Sequence, residues 1–270
     1  MKTKVTFRCC VCVVFRICLC LFALSAVFTG AAGVSAQENP ETPQRLLIKG
    51  NMAYSRENYD QAATYYEQIL SQGKTNAAVY YNLANAYFKT EEIGAAVLNY
   101  QRALFLDPRD TDIRANYRYA LSRAAVERKT APIFFQRWAQ GYFEFFSLPE
   151  LAWCPLIVLA LLAVVQTAGL FFYWPRSWRM TVNWVLAVFL FWNLGGLIYR
   201  WHDIRSRAVL LADAPARFEP RDDATVHFQV EEGETVYFLD REGAWAKVRR
   251  PDKVKGWVPL ESVEKLLPDD

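Results

Sequence analysis

The sequence predicts a multidomain α plus β protein: an array of helical repeats, a hairpin of two transmembrane helices and a small C-terminal β-barrel. Three observations predict this class. A 34-residue repeat runs through residues 43–110, two uncharged apolar runs occupy residues 151–174 and 181–199, and the last 60 residues contain short β-type runs separated by turns. A chain of 270 residues is long enough for several small units of this kind.

The first 36 residues have the composition of a secretion signal. Basic residues without any acidic one come first, an apolar run follows at residues 17–28, and Val34-Ser35-Ala36 has the small residues of a signal-peptidase site. We therefore expect an exported chain that starts at Gln37. Five of the six cysteines lie in this segment, so Cys154 is the single cysteine of the expected mature chain, which can form no intramolecular disulfide.

Charge argues against nucleic acid as a partner. The chain has 31 basic and 28 acidic residues, and four of the basic ones lie in the first 36 residues. The remainder therefore has 27 basic against 28 acidic residues. Non-specific nucleic-acid binding depends on an excess of basic side chains, which this near-neutral remainder lacks.

The repeat pairs small and aromatic residues at a shift of 34. This composition resembles the tetratricopeptide repeat (TPR), in which two antiparallel helices pack closely at small residues. Asp107-Pro108 ends the second unit, because proline disfavours helix at the residue before it. A third helix, at about 110–126, has the polar surface of a cap, so we predict a TPR domain over residues 43–127. The matching pairs are Gly50/Ala84, Asn51/Asn85, Ala62/Ala96, Tyr66/Tyr100 and Ile69/Ala103.

An aromatic segment at residues 132–147 connects the repeats to the first apolar run. It suits an amphipathic helix at the membrane interface, and it equally suits a helix packed against the repeats. Ser147-Leu148-Pro149-Glu150 has the form of a capping box, in which Glu150 bonds back to the helix start.

The two apolar runs predict a transmembrane hairpin. Each run is long enough to cross a bilayer core of about 30 Å. The predicted loop at residues 175–180 contains Arg176 and Arg179 without an acidic residue, which favours the cytoplasm. Together with the export signal, this predicts that the repeats and the C-terminus are both extracytoplasmic, although Arg200, Arg205 and Arg207 oppose that orientation. Gln166 and Asn193 are expected at a similar depth, where they would bond the two spans together.

The C-terminal 60 residues predict a small β-barrel. Runs rich in β-branched and aromatic residues lie at 209–211, 226–230, 235–239, 244–248 and 256–258. The sequence Gly256-Trp257-Val258, together with Trp245-Ala246-Lys247-Val248, resembles bacterial SH3 domains, so we predict such a domain over residues 207–267.

Signal segment, short TPR array, membrane hairpin and C-terminal SH3 domain together resemble BatE, a family of the Bat (aerotolerance) operon proteins. The resemblance implies a protein of the bacterial inner membrane that has no enzymatic activity and no cofactor. It also implies membrane-anchored von Willebrand A-domain proteins and a MoxR-type ATPase as partners, and a role in envelope integrity or oxidative-stress tolerance. A non-enzymatic scaffold is therefore the expected function, and binding to peptidoglycan through the SH3 domain is the alternative.

The residue inventory argues against catalysis independently of that resemblance. The chain has two histidines, His202 and His227, far apart in sequence. Zinc sites and Ser-His-Asp triads need histidines or cysteines gathered in space. No Walker A or dinucleotide-binding glycine pattern occurs. No catalytic, metal or cofactor residue is predicted.

The groove of the TPR array contains the candidate binding residues. Asparagines recur there at 34-residue spacing, and in TPR proteins that clamp a peptide, asparagines at these positions bond the backbone or terminal carboxylate of the ligand. Leu47 and Asp112 stand where such a clamp has lysines, which argues against capture of a terminal carboxylate. A structural role in bonding neighbouring helices is equally open. The candidates are Asn51, Asn82, Asn85 and Asn116, with Tyr81 and Phe88 as further groove residues.

Overall fold

The computed structural model describes residues 41–124, 134–171 and 174–267. The predicted signal segment 1–36 lies outside these ranges, as does the end of the predicted TPR domain at 125–127. The described helices are α1 (Pro43–Ser55), α2 (Tyr59–Ser71), α3 (Ala77–Lys89), α4 (Ile93–Leu106), α5 (Thr111–Arg123), α6 (Phe134–Phe145), α7 (Leu148–Phe171) and α8 (Arg176–Ser206). The strands are β1 (Arg207–Leu210), β2 (Ala214–Arg217), β3 (Val226–Val230), β4 (Thr235–Glu242), β5 (Trp245–Arg249), β6 (Lys255–Pro259) and β7 (Val263–Lys265).

Helices α1–α5 form the helical repeat array that the sequence predicts. Side chains of Thr42, Asn76 and Asp110 accept hydrogen bonds from backbone amides at the starts of α1, α3 and α5. The two helices of the first unit pack closely because Gly50 lacks a side chain: a Cβ atom there would lie 2.6 Å from the ring of Tyr66. The core of this unit consists of Leu46, Ala53, Ala62, Ala63, Tyr66, Ile69, Val79, Leu83 and Ala86.

Helices α7 and α8 are both long and apolar enough to cross a membrane. In the most apolar 18-residue stretch of each helix, 17% of α7 and 11% of α8 is buried within the chain. The core helix of a soluble protein is mostly buried. Their bounds differ from the predicted runs, because α8 begins directly after Pro175 and includes the residues predicted as a loop. Ser147 and Glu150 form the predicted capping contact at the start of α7, where the Ser147 amide donates to the Glu150 carboxylate at 2.9 Å.

The predicted pairing of Gln166 with Asn193 is wrong. Gln166 Nε2 donates to Asn183 Oδ1 at 2.9 Å, whereas Asn193 accepts from Tyr142 of α6 at 3.2 Å. The reason is the position of the turn. Helix α7 ends at residue 171 and α8 starts at 176, so the centre of the hairpin lies several residues before the position that the sequence suggested.

The C-terminal strands form one antiparallel sheet in the order β3-β2-β6-β5-β4-β1-β7. The prediction missed β2, which contains Pro215, and the three-residue β7, which follows a 3₁₀ turn at Leu260–Ser262. Among the described strands, β3 and β7 lie at the two ends of this order. Closure of the sheet into a barrel, which would need these two ends to meet, stays a prediction. The buried side of the sheet includes Ala208, Leu210, Ala216, Val230, Val236, Ala246, Val248 and Val258.

The repeat array and the sheet domain share a hydrophobic core, which the sequence did not predict. The amide of Gly94 in α4 donates to the Glu232 carboxylate at 2.6 Å, so a residue of the sheet domain caps a repeat helix. Arg102 of α4 bonds Glu264 at 2.7 Å and the backbone carbonyls of residues 265 and 266. The shared core contains Ala84, Ala96, Val97, Leu98, Tyr100, Ala103, Ile113 and Ala120 of the repeats with Ile204, Val209 and Leu266.

Candidate peptide-binding groove

The groove asparagines form a hydrogen-bonded ladder that repeats along the array. Asn51 Oδ1 accepts from the Tyr66 hydroxyl at 2.8 Å and from Asn82 Nδ2 at 3.3 Å. One repeat further, Asn85 Oδ1 accepts from the Tyr100 hydroxyl at 2.5 Å and from Asn116 Nδ2 at 3.2 Å. Each rung therefore joins three helices: the first helix of a repeat, its second helix and the first helix of the next repeat.

The ladder uses carboxamide oxygens and leaves donors for a ligand. A carboxamide has one oxygen acceptor and an NH₂ group with two donors. The side-chain oxygens of Asn51 and Asn85 each accept two hydrogen bonds. Among the residues that the structure describes, the Nδ2 groups of these two asparagines donate no hydrogen bond. These two side chains border a cavity of about 300 Å³ that Tyr54, Tyr66 and Asn82 also line. The groove therefore offers N–H donors against aromatic walls.

The two aromatic candidates, Tyr81 and Phe88, are not among the residues that line this cavity, and they contact side chains of α4 and α5 instead. The Tyr81 hydroxyl accepts from Asn116 Nδ2 at 2.8 Å, and its ring lies 6.1 Å from that of Tyr100. The ring of Phe88 lies 5.3 Å from that of Tyr119, which is 60% exposed. Phe88 is half-buried against the shared core, so Tyr119 is the exposed ring of this pair.

Burial raises the pKa of the ladder tyrosines Tyr66 and Tyr100 above the ordinary value of 10.0. It raises the pKa of the Tyr66 hydroxyl to about 12, with a smaller contribution from Tyr54. Burial also raises the pKa of Tyr100, and the nearby Tyr81 adds to this effect. Both hydroxyls therefore donate to their asparagines at neutral pH.

The contacts of the four asparagines bear on both interpretations, and each interpretation stays a prediction. All four bond neighbouring helices, as the structural interpretation expects, yet Asn51, Asn82 and Asn85 also line the cavity. The ladder also contains Tyr66 and Tyr100, which are not among the predicted site residues. Their 34-residue spacing is visible in the sequence. Which residues of two neighbouring helices face each other depends on how the helices pack, and the spacing does not show this.

The sheet domain has an aromatic surface at residues outside the predicted site. The rings of Phe218 and His227 stack at 4.2 Å, and Phe218 is 58% exposed. His227 also lies against Phe228. The repeats contact β1, the residues around β7 and the β3–β4 turn, so this surface belongs to a different part of the domain.

Comparison with known families agrees with these two folds. Residues 53–115 match the family described as tetratricopeptide repeat, and residues 213–264 match the bacterial SH3 domain family. The chain thus contains TPR repeats and a bacterial SH3 domain. It is 30% identical over 91 residues to a protein named serine/threonine-protein phosphatase T from Aspergillus oryzae (strain ATCC 42149 / RIB 40). That match covers 34% of this chain and 19% of the relative, so the chain spans about a fifth of its length.

Proposed function

We propose that the protein is a non-enzymatic, membrane-anchored adaptor whose TPR groove binds an extended segment of a protein partner. The observation that carries this proposal is the cavity lined by Asn51, Asn82 and Asn85, in which amide donors remain next to aromatic rings. TPR and bacterial SH3 domains are both interaction modules. The two apolar helices would fix these modules at the bacterial inner membrane.

The chemistry of the groove favours a ligand that presents hydrogen-bond acceptors. Carbonyl groups of an extended peptide backbone fit the remaining Nδ2 donors of Asn51 and Asn85. Leu47 and Asp112 supply no positive charge at the positions where carboxylate-binding TPR grooves have lysine. An internal segment of the partner is therefore a better ligand than its C-terminal carboxylate.

The test is to remove the donor while keeping the ladder. In Asn85→Asp, the carboxylate still accepts from Tyr100 and Asn116, but the Nδ2 donor is lost and a negative charge faces the carbonyl ligand. We expect less partner to co-purify from detergent-solubilised membranes, as quantified by mass spectrometry, with an unchanged melting temperature. Asn58→Asp makes the same change in the turn before α2, outside the groove, and serves as the control. Equal recovery with both variants would contradict the proposal.

The domain arrangement favours a Bat-type envelope complex as the setting. The BatE resemblance supplies the candidate partners, namely von Willebrand A-domain proteins and a MoxR-type ATPase system, and a role in stress tolerance. If this assignment is right, those proteins will be enriched with the wild-type chain and depleted with Asn85→Asp. Their absence from the wild-type sample would remove the Bat assignment and leave the adaptor role open.

Peptidoglycan binding through the SH3 domain is the second candidate function. The stacked rings of Phe218 and His227 favour it, because exposed aromatic faces pack well against sugar rings. In a sedimentation assay with purified sacculi, the wild-type chain should be retained and Phe218→Ala should be lost. Phe145→Ala, at a 50% exposed aromatic outside the SH3 domain, is the control. Strong retention without any recovered protein partner would make this the primary function.

A further inference from the structure

One face of the SH3 sheet collects basic side chains. In an antiparallel sheet, residues in register on neighbouring strands lie on the same face. Two rows of such partners run across the strands on the side opposite the buried core of the domain, and we call this surface the basic face. Its first row consists of Arg207, Tyr237, Arg249 and Lys255, and its second row consists of Arg217, Trp257, Lys247 and Asp240.

The positive charge of this face is segregated from the acidic residues of the same domain. Residues 207–267 contain 10 basic and 12 acidic side chains, so the SH3 domain as a whole is not basic. The two rows nevertheless contain five basic residues and one acidic residue, Asp240. Arg207 pairs with Asp203, whereas the other four basic side chains form no ion pair with a described residue. The face therefore has positive charge to offer to an anion.

Aromatic rings support two of these cations. The Nζ atom of Lys247 lies 5.1 Å from the ring centre of Trp257, and the guanidinium carbon of Arg249 lies 4.6 Å from that of Tyr237. Lys255 next to them is exposed. A cation–π contact positions a cation and leaves its charge in place. The charges are thus held on the surface in a fixed arrangement.

The basic face adjoins the end of the second apolar helix. Arg207, in the first row, follows α8 directly. Tyr237, next to it in that row, lies close to Tyr199 and Asp203 of α8, because the end of α8 packs against β4. Arg249 is two strands away from Arg207, which corresponds to about 10 Å.

The length of α8 gives the level of this junction in a membrane. Arg179 and Arg200 are separated by 21 residues without a charged side chain between them. This separation corresponds to about 31 Å of helix and matches a bilayer core of about 30 Å. Tyr199, directly before Arg200, would therefore lie where the hydrocarbon gives way to the lipid headgroups. The basic face begins at that level.

We propose that the basic face binds the anionic headgroups of phospholipids in the leaflet from which α8 emerges. The proposal rests on the membrane anchorage proposed above. The occupant is anionic lipid because unpaired cations next to the end of a span lie within reach of the lipid phosphates and have the opposite charge. The contact would hold the SH3 domain against the bilayer and would orient the TPR array, which shares its core.

Native mass spectrometry of the detergent-solubilised full chain tests the lipid. The chain is titrated with phosphatidylglycerol, and with phosphatidylcholine as the neutral counterpart. Each basic residue near an anionic surface contributes about fivefold in affinity, so Arg249→Gln with Lys255→Gln should weaken phosphatidylglycerol binding about 25-fold. Arg221→Gln with Arg241→Gln removes the same charge at exposed positions of the SH3 domain outside the face and should leave that binding unchanged.

A charge-conserving pair separates charge from folding. Arg249→Lys with Lys255→Arg keeps both charges and should keep the affinity for phosphatidylglycerol. Loss of binding in this pair as well would attribute the effect to the fold and overturn the headgroup contact. Equal affinity of the wild type and the glutamine pair would overturn it too. A wild-type chain that binds polyglutamate without preferring phosphatidylglycerol to phosphatidylcholine would assign the face to an acidic protein segment and overturn the lipid assignment.

Flotation with vesicles of pure phosphatidylcholine tests the anchorage separately, because these vesicles contain no anionic headgroup. After reconstitution, the wild type and the glutamine pair should both float with the vesicles. A chain that stays at the bottom of the gradient would contradict the membrane anchorage itself. A chain that floats but has no preference for phosphatidylglycerol would overturn the proposal for the basic face and leave the anchorage in place.

Discussion

Asn85 connects three helices of the TPR array through one carboxamide oxygen. That oxygen accepts from Tyr100, whose side chain is 2% exposed, and from Asn116. A side chain with this many partners contributes to folding before any ligand binds. Binding and stability are therefore coupled at this position, and an alanine substitution cannot separate them.

The first prediction follows from that coupling. Asn85→Ala leaves the buried Tyr100 hydroxyl without its acceptor, which should lower the free energy of unfolding by about 1–3 kcal/mol. Thermal unfolding of the detergent-solubilised chain measures the effect as a lower melting temperature. Asn58→Ala removes an exposed carboxamide that bonds Gln61, and its effect should stay within about 0.5 kcal/mol. Equal melting temperatures for the two variants would show that the ladder adds no stability.

A second prediction concerns alkaline pH. Burial raises the pKa of Tyr66 from 10.0 in a free side chain to about 12 in the fold. The protonated hydroxyl therefore stabilises the fold fully below pH 10, and this contribution is lost as the pH rises from 10 to about 12. Tyr66→Phe should lower stability at pH 7, because the bond to Asn51 is lost, and should also reduce the further loss above pH 10.

The measurement is the melting temperature of each variant across that pH range. Tyr119→Phe changes an exposed ring on the same array and is the control. A Tyr66→Phe variant that loses as much stability above pH 10 as the wild type would show that Tyr66 does not cause the alkaline effect. The tyrosines at 87 and 100, whose pKa values burial also raises, remain present in both variants.

Sequence spacing alone located these residues but not their bonds. The 34-residue period marks Asn51 and Asn85 as equivalent, and it marks Tyr66 and Tyr100 in the same way. Which of them touch depends on the angle at which two helices cross, and several side chains on one face satisfy the same spacing. The spacing therefore predicts a groove and leaves the role of its asparagines open.

At the scale of secondary-structure elements, the junction between α4 and β1 depends on close backbone approach. A Cβ atom at Gly94 would clash with the Leu210 carbonyl oxygen and would lie 2.7 Å from the Cα of Leu211. Glu232 bonds the amide of the same glycine. In the repeat pattern Gly94 is an ordinary helix-start position, so nothing in the sequence indicated that a strand more than 100 residues away would cover it.

A third prediction tests this junction. Gly94→Ala forces α4 and β1 apart and should lower the free energy of unfolding by about 1–3 kcal/mol, as overpacked cores do. Limited proteolysis should also become faster near residues 207–211, where the SH3 domain begins. Gly141→Ala makes the same substitution in a helix where the new methyl group meets open space, and it should not destabilise the chain. Equal proteolysis of both variants would argue against a tight junction.

At the scale of the whole molecule, the shared core constrains topology more strongly than the charges do. Ile204, Val209 and Leu266 pack with residues of α4 and α5, so the TPR and SH3 domains must lie on the same side of any membrane that α7 and α8 cross. An even number of spans satisfies this requirement. The sequence predicted the same arrangement from the export signal and the basic turn, without knowledge of the contact.

Two of the three arginines that oppose this topology, Arg205 and Arg207, have partners at the end of α8. Arg207 pairs with Asp203 at 2.6 Å, and Arg205 lies 5.5 Å from the ring centre of Trp201. These contacts give the positive charges partners next to the SH3 domain. Arg176 and Arg179, at the other end of α8, form no ion pair among the described residues.

The last prediction is that reporter fusions at residues 130 and 270 give extracytoplasmic signals, whereas a fusion at residue 178 gives a cytoplasmic one. The shared core requires only that 130 and 270 agree, and the arginines of the turn decide which side they occupy. Opposite signals at 130 and 270 would therefore contradict the contact between the two domains. Cytoplasmic signals from both fusions would agree with that contact and would contradict export of the two domains. Binding to peptidoglycan would then be contradicted as well, because the SH3 domain would lie on the wrong side of the membrane.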